Sequence, residues 1–161
     1  FYIYKGYLDH VVNDEYVNWY YYIHDYVGDK CQVFYFIENN KLQDPFYEQV
    51  FLPLFAAKGQ ERGFIPISPD TRKKPEKFDR IEGNLEPLNR QGKLILNINE
   101  KDNPHMQRLE EQFLLLNKRM KAPADGVDCI EGGWYILNSK IRTLTVDSYT
   151  IGQHKRSNKR Y

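Results

Sequence analysis

The segment "QVFYFIENNK", Gln32 to Lys41, decides how the rest of the chain is read. From Val33 to Ile37 it is apolar without alternation, the pattern of a strand covered on both faces. The run ends on a carboxylate, Glu38, with Asn39 and Asn40 behind it. In an open α/β sheet ligands gather at the carboxyl ends of the strands, where Glu38 would project. A lone acid at a strand end more often only turns the chain into solvent, so the neighbouring segments must decide between the two.

Outward from that strand, helices and strands alternate. "FYIYKGYL", Phe1 to Leu8, is rich in aromatics and reads as one side of an antiparallel ribbon whose partner would lie upstream. Asn13 is placed as an N-cap, followed by Val17, Tyr20, Tyr21, His24 and Val27 at helical spacing up to about Gly28. Asp44 and Pro45 would open a second helix carrying Phe46, Val50 and Leu54. "GFIPIS" is a short strand interrupted by prolines, expected near an edge. Phe78, Ile81, Leu85 and Leu88 form a helical stripe that stops at Gly92, and "KLILNI" is a further strand. Asn103 and Pro104 open a helix with Met106, Leu109, Phe113 and Leu116, and Pro123 would open a last one ending near Asn138. The expected fold class is therefore α/β, a mixed sheet flanked by helices. One domain over residues 1–138 is expected, followed by a basic extension over 139–161 that carries Lys155, Arg156, Lys159 and Arg160.

Composition narrows the function classes. With 161 residues and 41% hydrophobic content the chain can bury one substantial core. A net charge of +1 argues neither for nor against nucleic acid, so local charge has to decide. Cys31 and Cys129 have no C-x-x-C spacing and the four histidines are scattered, which suggests neither disulfide framework nor zinc site and suits a reducing, cytosolic setting. No run approaches the roughly 20 apolar residues of a membrane span, and no signal peptide precedes the core. No G-x-x-x-x-G-K-[ST] loop, the phosphate-binding signature of many nucleotide hydrolases, occurs.

Candidate acids recur in "APADGVDCIEGGW", where Asp125 and Asp128 fall in the first two helical turns. There the helix dipole favours anions whatever their role. Gly126, Cys129, Ile130, Gly133, Trp134, Ile136 and Leu137 are read as the buried face, with Asp125 at its margin and Asp128 directed nearly opposite. Arg72, Lys73, Lys74, Lys77 and Arg80 in "DTRKKPEKFDR" would bind phosphates without reading sequence, or form an ordinary solvated face. The tyrosines of "WYYYIHDY" have the spacing of a packed helix.

Taken together, "FYFIENN", "DPFYEQVFLPLF", "DTRKKPEKFDRIEGNLEPLNRQGKLIL" and "PADGVDCIEGG" resemble the nuclease domain of tailed-phage terminase large subunits, in the ribonuclease H-like superfamily. The resemblance covers residues 1 to 137. Glu38 and Asn39 match that family's strand-end acid and asparagine. Lys77 to Leu96 match its K/R-x-x-R-I helix and following strand. Ala124 to Gly132 match its Asp-Asp-x-x-Asp-Ala-x-x-Gly motif, with Ala124 in place of the first acid and Asp125 retained. The family's first catalytic aspartate would fall upstream of Phe1, on the missing ribbon strand. The resemblance implies an endonuclease that cleaves double-stranded DNA during viral genome packaging. Glu38, Asp125 and Asp128 would be its catalytic and metal-binding residues, with two Mg²⁺ or Mn²⁺ ions about 4 Å apart. It also implies a motor domain in the same parent chain, portal or capsid partners, and the host cytoplasm. Asn39 would orient a ligand or cap the loop. The same residues leave open another ribonuclease H-like enzyme, such as a junction resolvase or integrase, or a non-catalytic DNA-binding or capsid-docking module.

Overall fold

The computed structural model describes residues 1–39, 46–119 and 124–157. Among the described residues helix predominates, with four short strands: β1 (Tyr2–Ile3), α1 (Asn13–Val27), β2 (Tyr35–Glu38), α2 (Leu52–Arg62), β3 (Ile67–Asp70), α3 (Lys77–Arg90), β4 (Ile95–Leu96), α4 (Pro104–Leu115) and α5 (Asp125–Ser157). The chain divides into two compact units. One is continuous, Asp9–Lys73; the other is discontinuous, joining Phe1–Leu8 to Lys74–Tyr161. No described helix is long and apolar enough to cross a membrane.

In the continuous unit, α1 packs Val17 and Tyr21 into a core with Tyr35, Ile37, Tyr47, Phe55 and Ile65. Burying an aromatic body is favourable only if its polar tip finds a partner, and here the tips do. The Tyr20 hydroxyl donates to the Phe36 carbonyl at 2.8 Å and that of Tyr21 to the Gly63 carbonyl at 3.1 Å. His24 Nδ1 meets the Tyr35 hydroxyl at 2.8 Å. The N-cap of α1 is Val12 rather than Asn13, and no side chain caps it. The caps assigned to Asp44 and Pro45 lie outside the described residues; a wide π-helical turn over Tyr47–Phe51 leads into α2. β2 and β3 pair in parallel, Tyr35 opposite Ile67 through Glu38 opposite Asp70. β3 begins later than "GFIPIS" suggests, since Pro66 has no N–H for a ladder; Pro69 is tolerated because both strands of a two-stranded sheet are edges. β2 alternates, with Tyr35 and Ile37 buried and Glu38 exposed, so it is covered fully on one face only.

The discontinuous unit encloses Ile3, Ile81, Leu85, Met106, Leu109 and Val127. α3 carries the expected stripe, is capped by the Glu76 side chain accepting from Asp79 N–H at 2.9 Å, and gives way to Gly92 at φ +63°. Asn103 caps α4, its side chain accepting from His105 N–H at 2.9 Å, with Pro104 as the first helical residue. β1 pairs in parallel with β4, Tyr2 opposite Ile95 and Ile3 opposite Leu96. Among the described strands, then, the expected single mixed sheet is replaced by two separate parallel pairs, one in each unit.

Two expectations for the last helix are corrected. α5 does not end near Asn138 but continues to Ser157, across the boundary expected between 138 and 139. Neither glycine nor proline interrupts the chain from Asn138 to Ile151, so nothing stops helical propagation there. Its buried face is only partly the expected one. Gly126 is buried and Ile130 and Trp134 pack against the core as assigned, but Val127 and Glu131 are buried as well, whereas Cys129, Gly133 and Leu137, assigned inward, are exposed.

Candidate functional site

β2 carries Glu38 to the rim of an open cleft of about 530 Å³ in the continuous unit, lined also by Asp9, His10, Asn13, Tyr16, Ile37 and Phe51. The strand-end placement expected for Glu38 is therefore what the structure has. Its register partner is Asp70, the last residue of β3. Asn39 N–H donates to the Asp70 carbonyl at 3.2 Å, which closes the pair just beyond Glu38. The Asp70 carboxylate accepts from Arg72, at 3.2 Å from its backbone N–H and 3.1 Å from its Nε. Asp70 was not singled out from the sequence; the signal was an acid ending a strand, obscured by the basic run that follows it.

The acids of α5 face α3 within the discontinuous unit. Lys77 Nζ lies 2.9 Å from Asp125 Oδ1 and 3.5 Å from Asp128 Oδ2. Arg80 Nη2 meets Asp128 Oδ1 at 2.5 Å, and its Nη1 donates to Glu131 Oε2. Asn84 Nδ2 donates to Glu131 Oε1 at 2.8 Å. Residues 77, 80 and 84 follow the i, i+3, i+7 spacing of one helix face, and 125, 128 and 131 descend α5 opposite them. Burial reverses the orientation read from the sequence. The Asp125 side chain is 76% exposed and that of Asp128 only 14%, because the helix turns Asp128 toward Arg80. Glu131 is fully buried and was missed altogether, since a lone glutamate in a helix reads as solvent-facing. The complementary spacing of cations on α3 and acids on α5 was the available signal.

Burial alone would lower the proton affinity of Lys77, but the hydrogen bond and charge of Asp125, with Asp128 behind them, hold its pKa above that of an ordinary lysine. Arg80 is buried between two carboxylates, so it does not present its guanidinium to a DNA phosphate as expected. Arg72 is engaged by Asp70. Lys73 is exposed and Lys74 half-buried. Of the basic segment, therefore, Arg80 and Lys77 are bound up with acids of the same chain, and Arg72 with another.

Glu38 belongs to the continuous unit and Asp125 and Asp128 to the discontinuous one. Among the described residues no group of three His, Cys, Asp or Glu side chains is arranged to hold a metal ion. The donor chemistry fits in part. Asp125 is an exposed hard-oxygen donor, and the Lys77 ammonium between Asp125 and Asp128 stands in for a cation bridging them. Neither Cys31 nor Cys129 is in a disulfide, and both are exposed. Compared with protein-family models, with curated proteins and with solved structures, the chain gave no match in any of the three.

Proposed function

We propose that the chain is the nuclease part of a terminase-like, ribonuclease H-like protein that cleaves double-stranded DNA with Mg²⁺ or Mn²⁺. The observation that carries this reading is Glu38, exposed at the carboxyl end of a parallel strand on the rim of a cleft, as the motif order requires. Supporting it is Asp125, exposed in the first turn of α5, where the helix dipole favours a negative group. In this reading Glu38 of the continuous unit and Asp125 of the discontinuous one each offer a carboxylate to a divalent ion. Asp128 lends the oxygen facing Lys77, while its other oxygen stays with Arg80. Divalent ions, when bound, would neutralise the phosphodiester, lower the pKa of a water and stabilise the leaving oxygen. The chain's own part is to present carboxylates from a strand end and a helix start. The proposal includes an ATPase motor in the same parent polypeptide, portal or capsid partners, and a host-cytoplasmic setting.

The test is nicking of supercoiled plasmid by the 161-residue chain with Mn²⁺. Cleavage abolished by Glu38→Ala and by Asp125→Asn supports the reading. Cleavage indifferent to both substitutions removes it. One observation favours the non-catalytic alternative, a DNA-binding or capsid-docking module: Asp125, Asp128 and Glu131 each have a cationic partner on α3. DNA retention by the chain with no cleavage at any Mn²⁺ concentration would select that second reading.

A further inference from the structure

α5 is the longest of the described elements, 33 residues or about 50 Å, yet among the described residues the core of its unit takes nothing from it beyond Trp134. The apolar stripe does not end there. Ile130 and Trp134 pack against the core, and Leu137 and Ile141 follow at steps of three and four, 42% and 50% exposed. The backbone stays helical to Ser157, and the sequence repeats the same steps at Leu144, Ser148 and Ile151. Alternating steps of four and three give the 3.5-residue period of a seam between two helices; a stripe facing only a flat core would follow 3.6 and drift away from it. The stripe thus serves the core of its own unit at one end and is left exposed at Leu137 and Ile141.

We infer that α5 from Leu137 onward is a dimerisation helix, and that its occupant is the same segment of a second copy of this chain, running antiparallel. Charge complementarity selects that occupant and its direction. Lys140 and Asp147 hold equivalent positions beside the stripe, one heptad apart. A parallel pair would set these positions against 145 and 152, which are threonine and glycine. An antiparallel pair about a two-fold axis between 142 and 143 sets position 140 of each copy beside 147 of the other, so one symmetry operation makes the opposite-charge pair twice. It also sets 141 against 144 and 137 against 148. Sliding one helix by a heptad would bring 147 against itself, like charge on like, which fixes the register. Opposed helix dipoles act in the same sense. The association is independent of whether the chain cuts DNA.

The experiment is sedimentation equilibrium of the full 161-residue chain across the micromolar range, without DNA or metal. The parent is expected to pass from monomer to dimer with concentration. Ile141→Asp should raise the dissociation constant about tenfold or more, the scale of one apolar side chain withdrawn from an interface. Lys140→Glu should raise it about 3- to 10-fold, since two attractive pairs become repulsive, and the double variant Lys140→Glu/Asp147→Lys should restore the parent value. Lys140 is exposed, so the charge exchange tests the pairing even if Ile141→Asp fails to fold. A chain that stays monomeric throughout overturns the inference, as does a dimer that neither single substitution weakens. A double variant no tighter than Lys140→Glu alone overturns the antiparallel pairing.

Discussion

The strand end carrying Glu38 and the seam carrying Asp128 and Glu131 treat carboxylates in opposite ways. Glu38 stands exposed on the rim of a cleft, at the end of a strand whose inward residues, Tyr35 and Ile37, already hold it in place. Its removal would leave the packing of β2 intact. Asp128 and Glu131 are drawn inward and bound to Arg80, and they hold α5 against α3 alongside Val127 and Ile81. A buried ion pair is weak evidence of added stability, but breaking one is costly because the surviving charge has no water to return to. Acids of the same type in one small chain thus divide into one kind suited to meeting a ligand and another that organises a helix.

The largest effect that would break this contrast is expected at Glu131. Glu131→Ala leaves Arg80 buried with half its counter-charge and should cost about 3–5 kcal/mol in urea unfolding, whereas Glu38→Ala should stay within about 0.5 kcal/mol. Similar losses at both positions would erase the distinction. Next comes Gly126, where α5 approaches α4. A Cβ there would lie 2.9 Å from Gln112 Oε1 and 2.9 Å from Leu109 Cδ1, and Gly126 N–H already donates to that glutamine oxygen. Gly126→Ala should cost about 1–3 kcal/mol by overpacking, despite the better helix propensity of alanine. A neutral result would mean that the seam is looser than its contacts indicate.

Smaller again is the difference between the two aspartates. Asp128→Asn should destabilise by about 1–2 kcal/mol through its buried guanidinium contact, and Asp125→Asn by no more than about 0.5 kcal/mol at the surface. The reverse order would restore the orientation first read from the sequence. The smallest effect concerns pH. Lys77 has a raised pKa in the fold, so the stability it contributes is fully present below its ordinary value of 10.5 and is lost as pH rises through the higher folded value. Burial raises Tyr21, Tyr35 and Tyr47 above 10.0 in the continuous unit, giving the same sign there. Glu100 has the opposite sign. Hydrogen bonds from Asn103 and then Lys5 hold it below 4.5, so its contribution is present above that pH and is lost as pH falls through the folded value. Unfolding followed from pH 3 to 11.5 should show Glu100→Gln flattening the acid limb and Lys77→Met flattening the alkaline one.

How much of this was legible depends on whether local chemistry or distant packing decided the outcome. α4 could be read almost to the residue, because Asn103 and Pro104 are cap and first position whatever surrounds them. α3 was equally clear, its apolar stripe ending at a glycine with positive φ. The strand end at Glu38 was legible because β-branched and aromatic residues stop there abruptly. The face of α5 was not. Its orientation is set by Arg80 and Asn84 on another helix, and a glutamate as fully buried as Val127 contradicts every single-residue preference. Strand pairing was likewise hidden, since two- and four-residue strands carry too little pattern to announce their partners.

The pairing of β1 with β4 also sets an order of events during synthesis. The continuous unit, Asp9–Lys73, can close as soon as its own residues have emerged. Tyr2 and Ile3, made before it, must wait until Ile95 and Leu96 exist, an interval on the order of 5 to 20 seconds at ordinary ribosomal speed. During that interval the aromatic first segment has neither its sheet partner nor its place beside Ile81 and Met106. The residues of β1 are thus made before the rest of the discontinuous unit yet are among its last to be sheltered, and "FYIYKGYL" is a stretch a nascent-chain chaperone would have to cover for that interval.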